Sequence, residues 1–115
     1  MYPVQVLDAA TPRLRLSSGS HWEALAGYAR AVREGPRILV SGTTATHGSG
    51  RVVCPGDAQG QAAYILDKIR ASIEALGGHM EDVLRARVYL RDAAQWRGVA
   101  EVHGRVFGEV RPVNP

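Results

Sequence analysis

Residues 37–46, Arg-Ile-Leu-Val-Ser-Gly-Thr-Thr-Ala-Thr, constrain the fold more than any other stretch. Ile38, Leu39 and Val40 form an apolar run of strand length, and the run stops at a Ser-Gly step followed by small residues. Short hydroxyl side chains just past a buried strand suit a pocket wall, because they leave room and offer hydrogen bonds. An ordinary strand end entering a turn reads the same way. Upstream, Gly27–Arg33 reads as a second strand and Glu34-Gly35-Pro36 as a tight turn, so Arg37–Ser41 is expected to pair back as a hairpin.

The rest of the chain supplies layers for that hairpin. The first 20 residues alternate weakly through Val4, Val6, Leu14 and Leu16, with breaks at Pro12 and Ser18-Gly19, and read as one or two edge strands. Thr46–Arg51 reads as a loop. Asp57 follows Pro55-Gly56 and is a natural N-cap. Behind it Ile65, Ile69, Ile73 and Leu76 recur at helical spacing, opposite Asp67, Lys68, Arg70 and Glu74, and Gly77-Gly78 ends the helix. Leu84, Ala86, Val88 and Leu90 then alternate with polar residues over Val83–Leu90, as in a strand with one buried face. Asp92–Gln95 has the form of a capping box. Trp96, Val99, Val102, His103, Val106 and Phe107 trace a second helix, which Gly108 closes. Two helices against about four strands predict an α+β fold with the helices on one face of the sheet. Apolar residues on both sides of a strand leave the other face in need of a partner, which predicts an oligomer.

Composition removes several classes. The 115 residues suit a single domain spanning 1–115. One cysteine, Cys54, excludes an internal disulfide framework and an all-cysteine metal site. No apolar run approaches the roughly 18 residues that span a membrane, and Met1–Val6 lacks the form of a signal peptide, so a cytoplasmic protein is expected. The formal charge is +3, but the arginines are dispersed and Lys68 is the only lysine. Nucleic-acid binders concentrate charge on one face or interleave it with stacking rings, so nucleic acid is not the expected partner.

Taken in order, these pieces resemble one family: Gly27-Tyr28-Ala29-Arg30-Ala31-Val32, Val40-Ser41-Gly42-Thr43-Thr44-Ala45, Gly56-Asp57 with Gln61, and Ala75 to Val83. Val88-Tyr89-Leu90-Arg91-Asp92, Val99 to His103, Phe107-Gly108 and Arg111-Pro112 complete the set. The pattern resembles the RidA (reactive intermediate deaminase, YjgF-type) family. The resemblance implies a chorismate-mutase-like α+β fold and a homotrimer with ligand clefts between subunits. It also implies hydrolysis of a reactive enamine or imine, such as 2-aminoacrylate, to a keto acid and ammonia, with no metal or cofactor. The expected partners are then a small imine, enamine or carboxylate metabolite and further copies of the chain.

Carried over residue by residue, the family's site tyrosine falls on Tyr28, and its serine and glycine on Ser41 and Gly42. Two positions depart from the pattern. The asparagine of the second helix falls on Ala100, and the arginine that grips the substrate carboxylate falls on Asn114. A neutral amide cannot reproduce two parallel charge-assisted bonds. The family pattern also continues through a final strand region that this sequence, ending at Pro115, does not contain.

Two arginines are candidates for the missing anchor. Arg30, two positions from Tyr28 on the expected strand, should face the same side; a surface arginine paired to a carboxylate is the plainer reading. Arg111 stands beside Pro112 and reads equally as a structural corner. The remaining tempting residues have bland readings: His103 as a core or interface histidine, His47 and His79 as loop residues without zinc-ligand spacing, and Cys54 as a passive loop thiol. Gly48 and Gly50 do not form a phosphate loop. A non-catalytic metabolite-binding or regulatory trimer is the alternative to the enzyme. A ribonuclease or translation inhibitor is a third reading, for which the residues show neither an acid–base pair nor a basic groove.

Overall fold

The computed structural model describes residues 13–115 and, for backbone only, 4–8. The Pro12 break and Met1–Pro3 lie outside the described residues. The chain forms two compact units, residues up to Thr43 with Lys68–Gly78, and Thr44–Asp67 with His79–Pro115. Long helix α2, Ala58–Ala75, contributes to both.

The first unit is an antiparallel four-stranded meander in the order β1-β2-β3-β4: Val4–Asp8, Arg13–Leu16, Ala31–Glu34 and Arg37–Val40. β1 lies at the edge, as expected, and β2 is interior. Glu34 pairs with Arg37, so the predicted hairpin turns on Gly35-Pro36 alone. The register puts Leu16 opposite Ala31 and Ala31 opposite Val40, and likewise Leu14 opposite Arg33 and Arg33 opposite Ile38. Side chains alternate across a sheet, so these residues share one face. Leu16, Ala31 and Leu76 are its buried centre, with Leu14, Ile38, Val40 and Ala75 packed around them. The last turns of α2 therefore cover this face. The opposite face carries Arg15, Val32 and Leu39 in one row and Arg13, Glu34 and Arg37 in the next.

The strand expected over Gly27–Arg33 begins later. Ser20 caps a short helix α1, His21–Ala26, by accepting from the Trp22 N–H at 3.2 Å. Gly27 ends that helix in the left-handed region (φ 76), its N–H bonded to Glu23 O. Backbone pairing starts only at Arg30, which donates to Leu16 O and accepts from Ser41 N. Tyr28 and Arg30 thus do not share a strand face.

At the C-terminus of α2 the Gly78 N–H bonds Ile73 O and the Gly77 N–H bonds Glu74 O, with Gly77 at φ 85. These two hydrogen bonds satisfy helix-end carbonyls and form the stop the sequence predicts.

In the second unit Asp57 caps α2 as expected, its Oδ1 accepting from the Gly60 N–H at 3.0 Å. Thr46 and Val52 form a bridge that closes the predicted loop. Helix α3 spans Trp96–Phe107 and buries Val99, Val102 and Phe107. Three details differ from the sequence reading. Gln95 does not reach back to complete a capping box; its Oε1 accepts from the Ala58 N–H at 2.9 Å, while Asp92 alone caps the turn Ala93–Gln95. Gly108 stays right-handed (φ −57), and the left-handed residue is Arg111 (φ 53), whose N–H bonds Phe107 O. Val83–Leu90 is not a paired strand. Only Arg85 bridges to Val113, and Leu84 and Tyr89 are both 83% exposed. Alternation prepares a segment for a sheet, but a strand exists only where a neighbour takes its hydrogen bonds.

Candidate functional site

The first unit brings Tyr28, Arg30, Ser41 and Gly42 together. Beside Tyr28 and Ser41 lies an open hollow of about 430 Å³ that runs over the uncovered sheet face past Val32 and Leu39 to Arg13, Glu34 and Arg37. Tyr28 is 44% exposed and lines it. Its hydroxyl bonds no group among the described residues. Arg13 Nε stands 4.0 Å from Glu34 Oε2, an exposed pair of little energetic weight.

The Ser41 hydroxyl donates to Ala29 O at 2.6 Å. Its one hydrogen is therefore committed, and toward a ligand it serves as an acceptor. Gly42 follows with open space where a side chain would stand. The Ser41 and Gly42 carbonyls both accept from Arg30 Nη2, each at 2.8 Å, and Thr43 Oγ1 accepts from the same nitrogen at 2.8 Å. The Gly42 and Thr43 amide N–H groups bond nothing among the described residues. The segment thus offers two free donors beside a fixed acceptor oxygen.

Arg30 is buried, and its Nε is a buried donor without a partner. The premise that placed it beside Tyr28 on an open strand face does not hold, because its head is spent on the chain's own carbonyls. Glu23, also buried, accepts from the Ser18 N–H at 3.1 Å and from the Ser17 and Ser18 hydroxyls. Lys68 senses both groups. Its pKa is lowered, first by burial and then by the positive charge of Arg30, while Glu23 acts in the opposite direction. Sequence reasoning missed Glu23, although the Ser20-x-x-Glu23 spacing is a signal for α1. Thr43 is legible only as one of the small hydroxyl residues past the strand, and its bond to Arg30 has no local mark.

Arg111 and Asn114 belong to the second unit. Arg111 is exposed, and its Nε donates to Gly108 O at 3.0 Å. Asn114 Nδ2 stands 3.3 Å from His103 Nε2, and the His103 ring packs on Phe107 at 4.8 Å between centroids. With the amide donating, His103 Nε2 accepts. Ala100 is exposed on α3. Cys54 is a free, exposed thiol, and His47 Nδ1 accepts from the Ser49 N–H within its own loop. Among the described residues, no group of His, Cys, Asp and Glu is arranged to hold a metal ion, and no helix is long and apolar enough to cross a membrane.

Comparison with known proteins agrees with this architecture. The model of the Endoribonuclease L-PSP family matches residues 19–115. The chain is 37% identical over 99 residues to an uncharacterized Streptomyces coelicolor protein, SCO2049, covering 86% of this chain and 73% of that one. It is 29% identical over 85 residues to the RutC family protein PH0854 of Pyrococcus horikoshii, covering 74% and 68%. Among solved structures, Rv2704 of Mycobacterium tuberculosis, a member of the YjgF/YER057c/UK114 family, superposes with a TM-score of 0.79 at 39% identity, covering 89% of this chain and 80% of that one. Escherichia coli TdcF with bound serine gives 0.67 at 25% identity, covering 76% and 70%. The chain belongs to the Endoribonuclease L-PSP family, also called the YjgF/RidA family. Its small α+β fold, an antiparallel sheet with helices, is the one those structures share. Family membership supports a RidA-like small-molecule-binding function.

Proposed function

We propose that this protein binds a small imine or enamine bearing a carboxylate and hydrolyses it to a keto acid and ammonia. Water adds to the imine carbon, the nitrogen takes up protons, and the carbon–nitrogen bond breaks as the carbonyl forms. Such a reaction needs an oriented water, a proton donor and a grip on the carboxylate. In this reading the Tyr28 hydroxyl supplies or relays the proton and Ser41 Oγ accepts a hydrogen bond from the water. The Gly42 and Thr43 N–H groups receive the carboxylate. The observation that carries the reading is the pair of unbonded amide donors that directly follow Ser41, which together with the unbonded Tyr28 phenol lines the open hollow. TdcF, a related chain, is seen with serine, a small amino acid. The active form in this proposal is a single-domain homotrimer of the cytoplasm, its clefts completed by neighbouring copies and its chemistry free of metal and cofactor.

Asn114 favours a second reading. Its amide is engaged with His103 and carries no charge, so a trimer that binds a metabolite without turning it over also fits. The assay is the release of keto acid from 2-aminoacrylate generated by a serine dehydratase. Acceleration by the protein supports the enzyme. No acceleration, with none gained by Asn114→Arg, overturns it in favour of binding alone. In the enzyme reading Asn114→Arg raises the rate by adding a bidentate grip. Arg111, exposed beside Pro112, is the alternative grip, and Arg111→Ala then weakens binding.

A further inference from the structure

We propose that Arg30 is a positioning residue that aims the Gly42 and Thr43 amide donors; the inference rests on the reading of that segment as the ligand's anchor. Nη2 of Arg30 stands 2.8 Å from Ser41 O, Gly42 O and Thr43 Oγ1. One nitrogen with two hydrogens thus serves three acceptors, two of them consecutive carbonyls. A peptide unit is planar and trans, so its C=O and N–H point in opposite directions. Drawing the Ser41 carbonyl toward Arg30 turns the Gly42 N–H away from it. Drawing in the Gly42 carbonyl does the same for the Thr43 N–H. The guanidinium therefore acts on a ligand it does not touch.

Stability alone does not account for this residue. Arg30 is buried, its Nε has no partner, and it forms no ion pair among the described residues. Glu23, the buried carboxylate nearby in the same unit, is occupied by Ser17 and Ser18 instead. A buried guanidinium without a counter-ion and with an idle donor is a costly way to pack a turn, and an apolar side chain of similar volume would pack it more cheaply. What no apolar residue can do is take two successive carbonyls from one side. The unpaired charge also sets up a positive potential behind the donors, of the sign that favours an anionic group in front of them. Lys68 registers that field.

The test compares Arg30→Lys and Arg30→Met with the unsubstituted protein. Lysine keeps the charge, but its nitrogen falls one bond short of Nη2, so it separates charge from reach. Three measurements are made: thermal midpoint, NMR shifts of the Gly42 and Thr43 amide protons in the unliganded protein, and binding of pyruvate with the KM and kcat for 2-aminoacrylate. Both variants should shift the two amide resonances while the amides of β2 and β3 keep theirs. Pyruvate affinity should fall, and KM rise, by about tenfold, as expected when one charge-assisted hydrogen bond is lost. Amides unmoved in Arg30→Lys, or pyruvate bound by it as tightly as before, would overturn the proposal. If the unsubstituted protein neither binds pyruvate nor turns over 2-aminoacrylate, the proposed function fails. The amide measurements then still decide the role of Arg30. Should Arg30→Met not fold, Arg30→Lys carries the comparison.

Discussion

Leu16→Ala should destabilise the first unit severely, and the size of the loss follows from its burial. Leu16 is 0% exposed at the centre of the cluster with Ala31 and Leu76. The substitution removes three carbons. At about 0.8 kcal/mol per buried CH₂ that is roughly 2.4 kcal/mol of transfer energy. The cavity left between strand and helix raises the total to about 3–4 kcal/mol. Unfolding entropy near 2.1 cal/mol/K per residue gives about 0.24 kcal/mol/K for 115 residues. The midpoint should therefore drop by roughly 12–17 °C. Leu39→Ala is the internal control. Leu39 lies on the opposite face, 67% exposed in the single chain, so without a second copy on that face the same three carbons should cost under about 1 kcal/mol, or roughly 4 °C. The assay is thermal unfolding by circular dichroism at several protein concentrations. A loss below about 1 kcal/mol for Leu16→Ala would refute this assignment of the core. A Leu39→Ala loss equal to that of Leu16→Ala, in a midpoint that rises with concentration, would put another copy on the sheet's second face, in keeping with the proposed homotrimer.

Other consequences follow from single residues. Gly77→Ala should cost about 1–2 kcal/mol in denaturant unfolding, because Gly77 is left-handed (φ 85) and a Cβ would meet Arg33 Nη1 at 2.7 Å, disturbing its bond to Leu76 O. Gly48→Ala, in open space, should be nearly neutral, and equal losses would show that the helix stop is not the cause. Lys68 is held below its usual pKa, so the unfolded chain binds its proton more tightly than the folded one. Its contribution to stability is fully present above 10.5 and is lost as pH falls through the folded value. Lys68→Met should flatten the rise in stability over that window, and an unchanged slope in pH-dependent unfolding would show that Lys68 is solvated.

How much of this was legible in the chain depends on how local each signal is. The Gly35-Pro36 hairpin, the Asp57 cap, the Ile65–Ile69–Ile73 stripe and the Gly77-Gly78 stop are all contained within a few residues of themselves. Turn chemistry, capping and helical period act over those same few residues, so the sequence determined them without help. The ordered family pattern was legible for the same reason. Helix α1 was harder, since six residues are too few to hold a helix unaided, and it stands only where Ser20 and Gly27 close its ends. Val83–Leu90 alternates correctly but finds only Val113, because a strand is a relation between two segments. Arg30 is the clearest case of tertiary decision. Its acceptors lie 11 to 13 positions away along the chain, brought to one nitrogen by the hairpin register. Residue type told that a cation was present, but only the folded sheet decided that it points inward at two carbonyls rather than outward at a ligand. Burial direction is set by what packs on the far side, and that is not written in neighbouring residues.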